Sequence, residues 1–239
     1  MKVVTNYWLL GNSAFIKERK RILVIMKVKQ FEFNMLPVNT YVAWDERTRE
    51  AAVIDAGCYT PEECDQLKEF ISEEELTIKY LLNTHLHFDH IFGNGFMYKQ
   101  YGLKTCAHPA DEDWLTEAPQ RTRMFGLEFP GVPVPIGTYL NEGDILRLGY
   151  HTLSCLHVPG HSLGSIVFYS PEGSCLFAGD VLFQGSIGRT DLPGGDIQTL
   201  LSGIREKLFT LPDATLVYPG HGEATTIGFE KQYNFYLKI

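Results

Sequence analysis

His85-Leu86-His87-Phe88-Asp89-His90 decides how the rest of this sequence is read. Three of the chain's eight histidines and one aspartate fall in that stretch, directly after the apolar run Ile78 to Leu82. The run reads as a buried strand, and side chains at the exit of a strand can converge on an open pocket. In extended backbone, positions 85, 87 and 89 share one face while position 90 points elsewhere. One cation could therefore take His85 and His87, with Asp89 and His90 turned toward a neighbouring one. Imidazole and carboxylate suit zinc, manganese and iron alike, at roughly 2.0–2.2 Å for zinc.

Four ligands from one segment cannot close two sites, so others must arrive from distant strand ends. The sequence offers His161 in Pro159-Gly160-His161-Ser162, Asp180 in Ala178-Gly179-Asp180, and His221 in Pro219-Gly220-His221-Gly222. Each follows an apolar strand and stands beside glycine, which permits close backbone approach. Any one of them alone reads as a turn residue. Together with the cluster they read as ligands.

Composition sets the outer limits. The chain has 239 residues, 44% of them hydrophobic and 21% charged, as expected of a globular protein with a substantial core. Lys and Arg number 21 against 29 Asp and Glu, a net charge of −8. That balance argues against a primary role on nucleic acid, whose phosphates call for clustered positive charge. Five cysteines with no Cys-x-x-Cys pair suggest neither a disulfide framework nor a cysteine zinc knuckle, and point to a reducing compartment. No apolar run is long enough to span a bilayer, and the amino terminus does not have the order of a signal peptide. Cytoplasm is the expected location, with no membrane partner.

Residues 1–25 differ in character from the rest of the chain. A basic cluster, Lys17 to Arg21, and the tract Ile22 to Ile25 lead to a second methionine, Met26. The sequence is therefore divided into an extension over 1–25, from an upstream start, and a domain over 26–239. An extra strand or helix packed on the domain is the other reading of that extension.

Beyond Met26, strands and helices alternate. Met26 to Phe33 is expected as the first strand, with a hairpin over Asn39–Trp44 and Ala51–Asp55. Thr60, Pro61 and Glu63 form a capping box that opens a helix with Cys64, Leu67, Phe70 and Ile71 on its apolar face. A short helix is expected from about Asp89 to Tyr101, and a proline-rich loop from Arg121 to Thr138. Strands are expected at 145–148, 151–157, 165–169, 175–178 and 215–218, with a helix capped by Asp196 before the last. Grouped strands with few helices favour sheet packed on sheet.

The set His85-x-His87-x-Asp89-His90, His161, Asp180 and His221, with Asp55 after Val53-Ile54, resembles the metallo-β-lactamase superfamily in order and over nearly all of residues 27 to 230. Within it, Gly185-Ser186-Ile187-Gly188-Arg189-Thr190-Asp191-Leu192-Pro193-Gly194-Gly195-Asp196 is similar to the loop of short, single-domain bacterial members of the glyoxalase II branch. The resemblance implies an α/β (α+β) fold, a four-layer αββα sandwich with the site at the sheet edges. It implies two divalent cations, zinc foremost, with iron or manganese as alternatives. His85, His87 and His161 would hold the first, Asp89, His90 and His221 the second, and Asp180 would bridge them around a shared hydroxide. Asp89 and Asp180 are thus the implied catalytic carboxylates.

The implied activity is hydrolysis of a small-molecule thioester, S-lactoylglutathione or a related acyl thioester. A thiolate with a pKa of about 8.5 leaves without much help from a general acid, whereas an amine would need a proton donor that the motif residues do not supply. Asp55 is read either as a hydrogen-bond partner behind the ligand turn or as a plain turn cap. Arg189 is read as a clamp on Asp191 or another carboxylate, with direct substrate contact as the alternative. His108, His151 and His157 are read as surface or satisfied structural histidines. The helical carboxy-terminal domain of two-domain glyoxalase II enzymes has no counterpart after His221, so a broader thioester range is expected. An iron-dependent persulfide (sulfur) dioxygenase and a lactonase are the rival enzymes, and a non-catalytic metal-binding module is the rival from another class.

Overall fold

The computed structural model describes residues 26–238. Residues 1–25, the expected extension, lie outside the described residues.

The first sheet begins as an antiparallel meander of β1 (Met26–Phe33), β2 (Val38–Asp45) and β3 (Glu50–Ile54). It then turns parallel through β4 (Thr77–Leu82), β5 (Thr105–Ala107) and β6 (Ile136–Tyr139). Parallel neighbours need crossovers, and the helices α1 (Pro61–Glu73), α2 (Asn94–Tyr101) and α3 (Glu112–Met124) supply them. The capping box opens α1 as its sequence dictates: the Thr60 side chain accepts from Glu63 N, and the Glu63 carboxylate accepts from Thr60 N.

The second sheet runs through β7 (Ile145–Leu148), β8 (His151–His157), β9 (Ile166–Ser170) and β10 (Cys175–Gly179), all antiparallel. A small hairpin of β11 (Leu182–Phe183) and β12 (Ser186–Ile187) leads to α4 (Ile197–Gly203). Strand β13 (Leu216–Pro219) then joins β10 in parallel, and β14 (Thr225–Thr226) and α5 (Ile227–Tyr233) complete the order β14-β13-β10-β9-β8-β7.

Three apolar layers hold these parts together. Between the sheets, Tyr41, Ile54 and Leu82 of one meet Leu153, Phe168 and Phe177 of the other. Outside the first sheet, Leu67 and Ile71 of α1 and Met97 of α2 pack on Phe31, Val42 and Val53. Outside the second, Leu200 of α4 and Ile227 of α5 pack on Val167, Leu176 and Val217. The result is the four-layer αββα sandwich, two mixed sheets flanked by helices.

Two local expectations are corrected. Arg121 to Met124 are not loop but the last turn of α3, and Ile136 to Thr138 lie in β6. Pro119 inside α3 masks that helix in the sequence, although Trp114, Leu115, Ala118 and Thr122 keep the spacing of one buried face. The helix expected from Asp89 is also two pieces: a 3₁₀ turn over Phe88–His90, then α2 from Asn94. No described helix is long and apolar enough to cross a membrane.

Candidate metal centre

The strand ends place the chemistry. Asp55 follows β3, His85 to His90 follow β4, Asp180 follows β10 and His221 follows β13, while His161 lies in the loop after β8. These ends meet along one edge of the sandwich.

The 3₁₀ turn changes how the ligand segment is presented. His87 is still extended, at φ −63° and ψ 145°, so His85 and His87 share a face as expected. The chain then tightens, with His90 N bonding His87 O at 3.1 Å, and the turn swings Asp89 and His90 together to the other side. Asn83 fixes this turn by donating to His90 O at 3.0 Å, and Asn94 donates to Asn83 Oδ1 in turn.

Four of the five ligand imidazoles, those of His85, His90, His161 and His221, have one nitrogen committed, which leaves the other free, whereas His87 Nε2 is buried with no hydrogen-bond partner. His161 Nδ1 donates to Arg189 O at 2.8 Å, and His221 Nδ1 donates to Pro37 O at 2.9 Å. Thr84 Oγ1 donates to Asp55 Oδ2 at 2.6 Å and so accepts from His85 Nδ1 at 3.1 Å. His90 Nδ1 faces Asp55 Oδ2 at 3.2 Å. Holding one ring nitrogen in this way fixes the tautomer and aims the other. The free atoms converge: His161 Nε2 lies 2.9 Å from His87 Nδ1 and 3.2 Å from His85 Nε2. With its partner nitrogen used as a donor, each of His85 and His161 presents a lone pair to the other. That contact is unfavourable until a cation lies among them.

A second group forms beside the first. Asp89, His90 and His221 offer ligand atoms all within 4.8 Å of one another, as do His85, His87 and His161. Asp180 lies between the groups, with Oδ2 3.5 Å from His161 Nε2 and 3.7 Å from His221 Nε2. Its Oδ1 is 3.5 Å from His90 Nε2, and both of those atoms are buried without a hydrogen-bond partner. Such orphaned polar atoms are costly unless something fills the space between them. The donor set fits two divalent cations, and the seven side chains lie side by side in two clusters typical of a binuclear site. A third set, Asp55 with His85 and His90, also lies close, but its Nδ1 atoms are turned to Asp55 and Thr84.

Asp55 is a positioning residue rather than a plain turn cap. It is buried at φ 52°, accepts from Thr84 N at 2.8 Å, and its own carbonyl accepts from Thr40 Oγ1. Glycine is required next to the bridge. A Cβ on Gly220 would strike Asp180 Oδ1, and one on Gly179, at φ 49°, would strike Thr84 Oγ1.

The electrostatics sort the ligands. Burial, followed by the neighbouring imidazoles, holds His85 and His87 well below the usual histidine range, so both are neutral donors. Burial would also lower His90, but the Asp89 and Asp180 carboxylates outweigh it and push His90 up to about 10. Burial would raise Asp89, yet His90 and His221 hold its carboxyl well below the usual range. His90 therefore carries a proton at neutral pH that an entering cation must displace. Metal uptake at pH 7 is expected to release protons, and affinity should rise with pH toward 10. An indicator dye in weak buffer measures this, and proton-neutral uptake at pH 7 would contradict it.

Arg189 clamps Asp191 through two hydrogen bonds of 2.7 and 2.8 Å, the first of its two expected roles, while its carbonyl orients His161. His108 and His157 stack on each other with centroids 4.1 Å apart, away from the ligand set. His151 departs from expectation, being buried with neither ring nitrogen hydrogen-bonded.

Sequence reading missed Asp111. It sits at the start of α3 where a helix cap belongs, yet makes no side-chain cap bond. Its carboxylate instead accepts from Leu86 N at 3.1 Å, Ser162 Oγ at 2.8 Å and Gly164 N at 2.7 Å. It thereby ties the His85–His87 segment to the loop that carries His161. Asn39 and Tyr41 were missed as well. Asn39 donates to the carbonyls of Pro219 and Gly222, and Tyr41 to that of Pro219, holding the His221 loop against β2.

A family model described as the Metallo-beta-lactamase superfamily matches residues 34–221. The chain belongs to that superfamily. Among superfamily relatives, the hydroxyacylglutathione hydrolase GloC of Haemophilus influenzae is 40% identical over 200 residues, 83% of this chain and 92% of that one. Two solved superfamily structures superpose closely. BLEG-1 B3 metallo-beta-lactamase gives a TM-score of 0.81 at 36% identity, covering 89% of this chain and 100% of that one. TTHA1623, solved in a di-iron-bound form, gives 0.77 at 36% identity, covering 87% and 100%. This superfamily chain is a metallo-hydrolase with His/Asp metal-binding clusters for a binuclear centre.

Proposed function

We propose that this metallo-hydrolase cleaves small-molecule thioesters, S-lactoylglutathione or a related acyl thioester among them, with zinc as the metal. The observation that carries the reading is the convergence of His85, His87 and His161 beside Asp89, His90 and His221, with Asp180 between. Two cations bound there would lower the pKa of a shared water and polarise the scissile carbonyl.

The chain's own residues supply orientation. Arg189 O, Pro37 O, Thr84 Oγ1 and Asp55 fix the rings of His161, His221, His85 and His90, which limits reorganisation when charge develops on the substrate. The leaving group favours sulfur. Among the described residues and outside the ligand set, the only charged groups lining the adjoining cavity are Arg121 and Arg189, and an arginine cannot deliver a proton. An amine leaving group would find no donor there, whereas a thiolate needs none. Likeness to the GloC hydrolase supports the same choice.

Thiol release from S-lactoylglutathione and from an acetyl thioester, by the chain loaded in turn with zinc, iron or manganese, tests the proposal. Metal-dependent release supports it. Full metal occupancy with no thiol released, or oxygen uptake on a glutathione persulfide instead, overturns it in favour of a module or an iron dioxygenase.

A further inference from the structure

A cavity of about 570 Å³ opens directly onto the ligand clusters, with His87, Asp89, His161, Asp180 and His221 at its base. Phe88, Trp114, Met124, Phe125, Phe183 and Leu192 line its walls. Met124 and Phe125, at the end of α3, are 79% and 60% exposed. The Phe125 ring rests on Phe88, with centroids 5.1 Å apart, and Phe88 is the chain neighbour of Asp89. An apolar wall thus runs without interruption from solvent to the metal ligands. Exposed apolar surface of this kind, next to convergent polar groups, marks a binding site.

Charge on the same wall points in the same direction. Arg121 lies 3.7 Å over the Trp114 ring and donates from Nε to Glu117 at 2.9 Å. Arg189 is held in a two-bond pair with Asp191. Each lining cation is therefore already matched by a carboxylate one turn or two residues away, which weakens the wall's pull on an anionic substrate tail.

We infer that this cavity selects thioesters with an apolar group of about four to eight carbons beside the scissile bond, the group lying against Met124, Phe125 and Phe88. The inference rests on the proposed thioester hydrolysis and adds the substrate class. Either side of the thioester could bring the apolar group, so both are varied in the test.

The zinc-loaded chain is assayed for kcat/KM on N-acetylcysteamine thioesters from acetyl to octanoyl, and on acetyl thioesters of alkyl thiols of increasing length. One series is expected to rise roughly fourfold per added methylene up to about six carbons. Met124→Ser combined with Phe125→Ser, both exposed and outside the core, is expected to reduce the hexanoyl-to-acetyl ratio at least about tenfold. Flat profiles in both series, with the acetyl thioester still cleaved, overturn the inference and leave the hydrolase reading intact. An unchanged ratio in the double variant also overturns it. Should no thioester be cleaved, the hydrolase reading fails, and calorimetric binding of hexanoate against acetate, with and without zinc, still judges the cavity. Hexanoate binding at least about tenfold tighter in both states supports the apolar site. Equal binding overturns it.

Discussion

Asp180→Ala is expected to lower the metal content below one ion per chain and to reduce hydrolysis by more than about a thousandfold. The side chain is the only one whose two oxygens reach both ligand groups among the described residues, Oδ1 toward His90 and Oδ2 toward His161 and His221. Removing it leaves His85, His87 and His161 apart from Asp89, His90 and His221, with no shared anion to offset the charge of paired cations. The substitution should not unfold the chain, because Asp180 holds no other element in place and its Oδ1 has no hydrogen-bond partner. Elemental analysis and the thiol-release assay on the same preparation measure both effects. Two ions retained with normal turnover would remove Asp180 from the centre.

Asp111→Ala is expected to destabilise the fold by about 3–5 kcal/mol, because it strands buried donors instead of trimming a contact. Leu86 N and Gly164 N lose their acceptor, while Ser162 Oγ keeps only its contact with Ser165 Oγ. The Ala side chain also leaves space beside Gly164, whose missing Cβ now makes room for the carboxylate. Since Asp111 touches no ligand atom, its effect on the centre runs through backbone placement. Metal affinity should fall about 10–100-fold, in the range seen when groups behind metal ligands are lost. Denaturant unfolding and competitive metal titration check the two numbers. A loss of stability under about 1 kcal/mol would show that the loops are held by other means.

These two aspartates also mark where sequence reading succeeds and where it stops. Asp180, like His85 to His90, His161 and His221, sits beside glycine or at the end of an apolar strand, so its local sequence marks a strand exit that carries metal-binding chemistry. Asp55 was legible for the same reason, although only the structure chose between its two roles by showing Thr84 and His90 on its carboxylate. The sandwich followed from grouped strands and from helix caps such as Thr60 and Asp196, both of which form the expected bonds.

Asp111 was not legible because its partners are Leu86, Ser162 and Gly164, far away in the chain, and its local setting mimics a cap. The wall of the cavity was hidden by Pro119, which made the end of α3 look like loop and concealed Met124 and Phe125 as a presented pair. Asn39 and Tyr41 read as ordinary strand residues. Only the meeting of two sheets turns them into supports for His221. Local periodicity reports which face is buried but not which distant loop a polar side chain reaches.

Anomalous diffraction from crystals grown with zinc tests the binuclear centre most directly. Two peaks are expected, one among His85, His87 and His161 and one among Asp89, His90 and His221, with the Asp180 carboxylate between them. A single peak, or peaks away from these side chains at full zinc occupancy, would contradict the account.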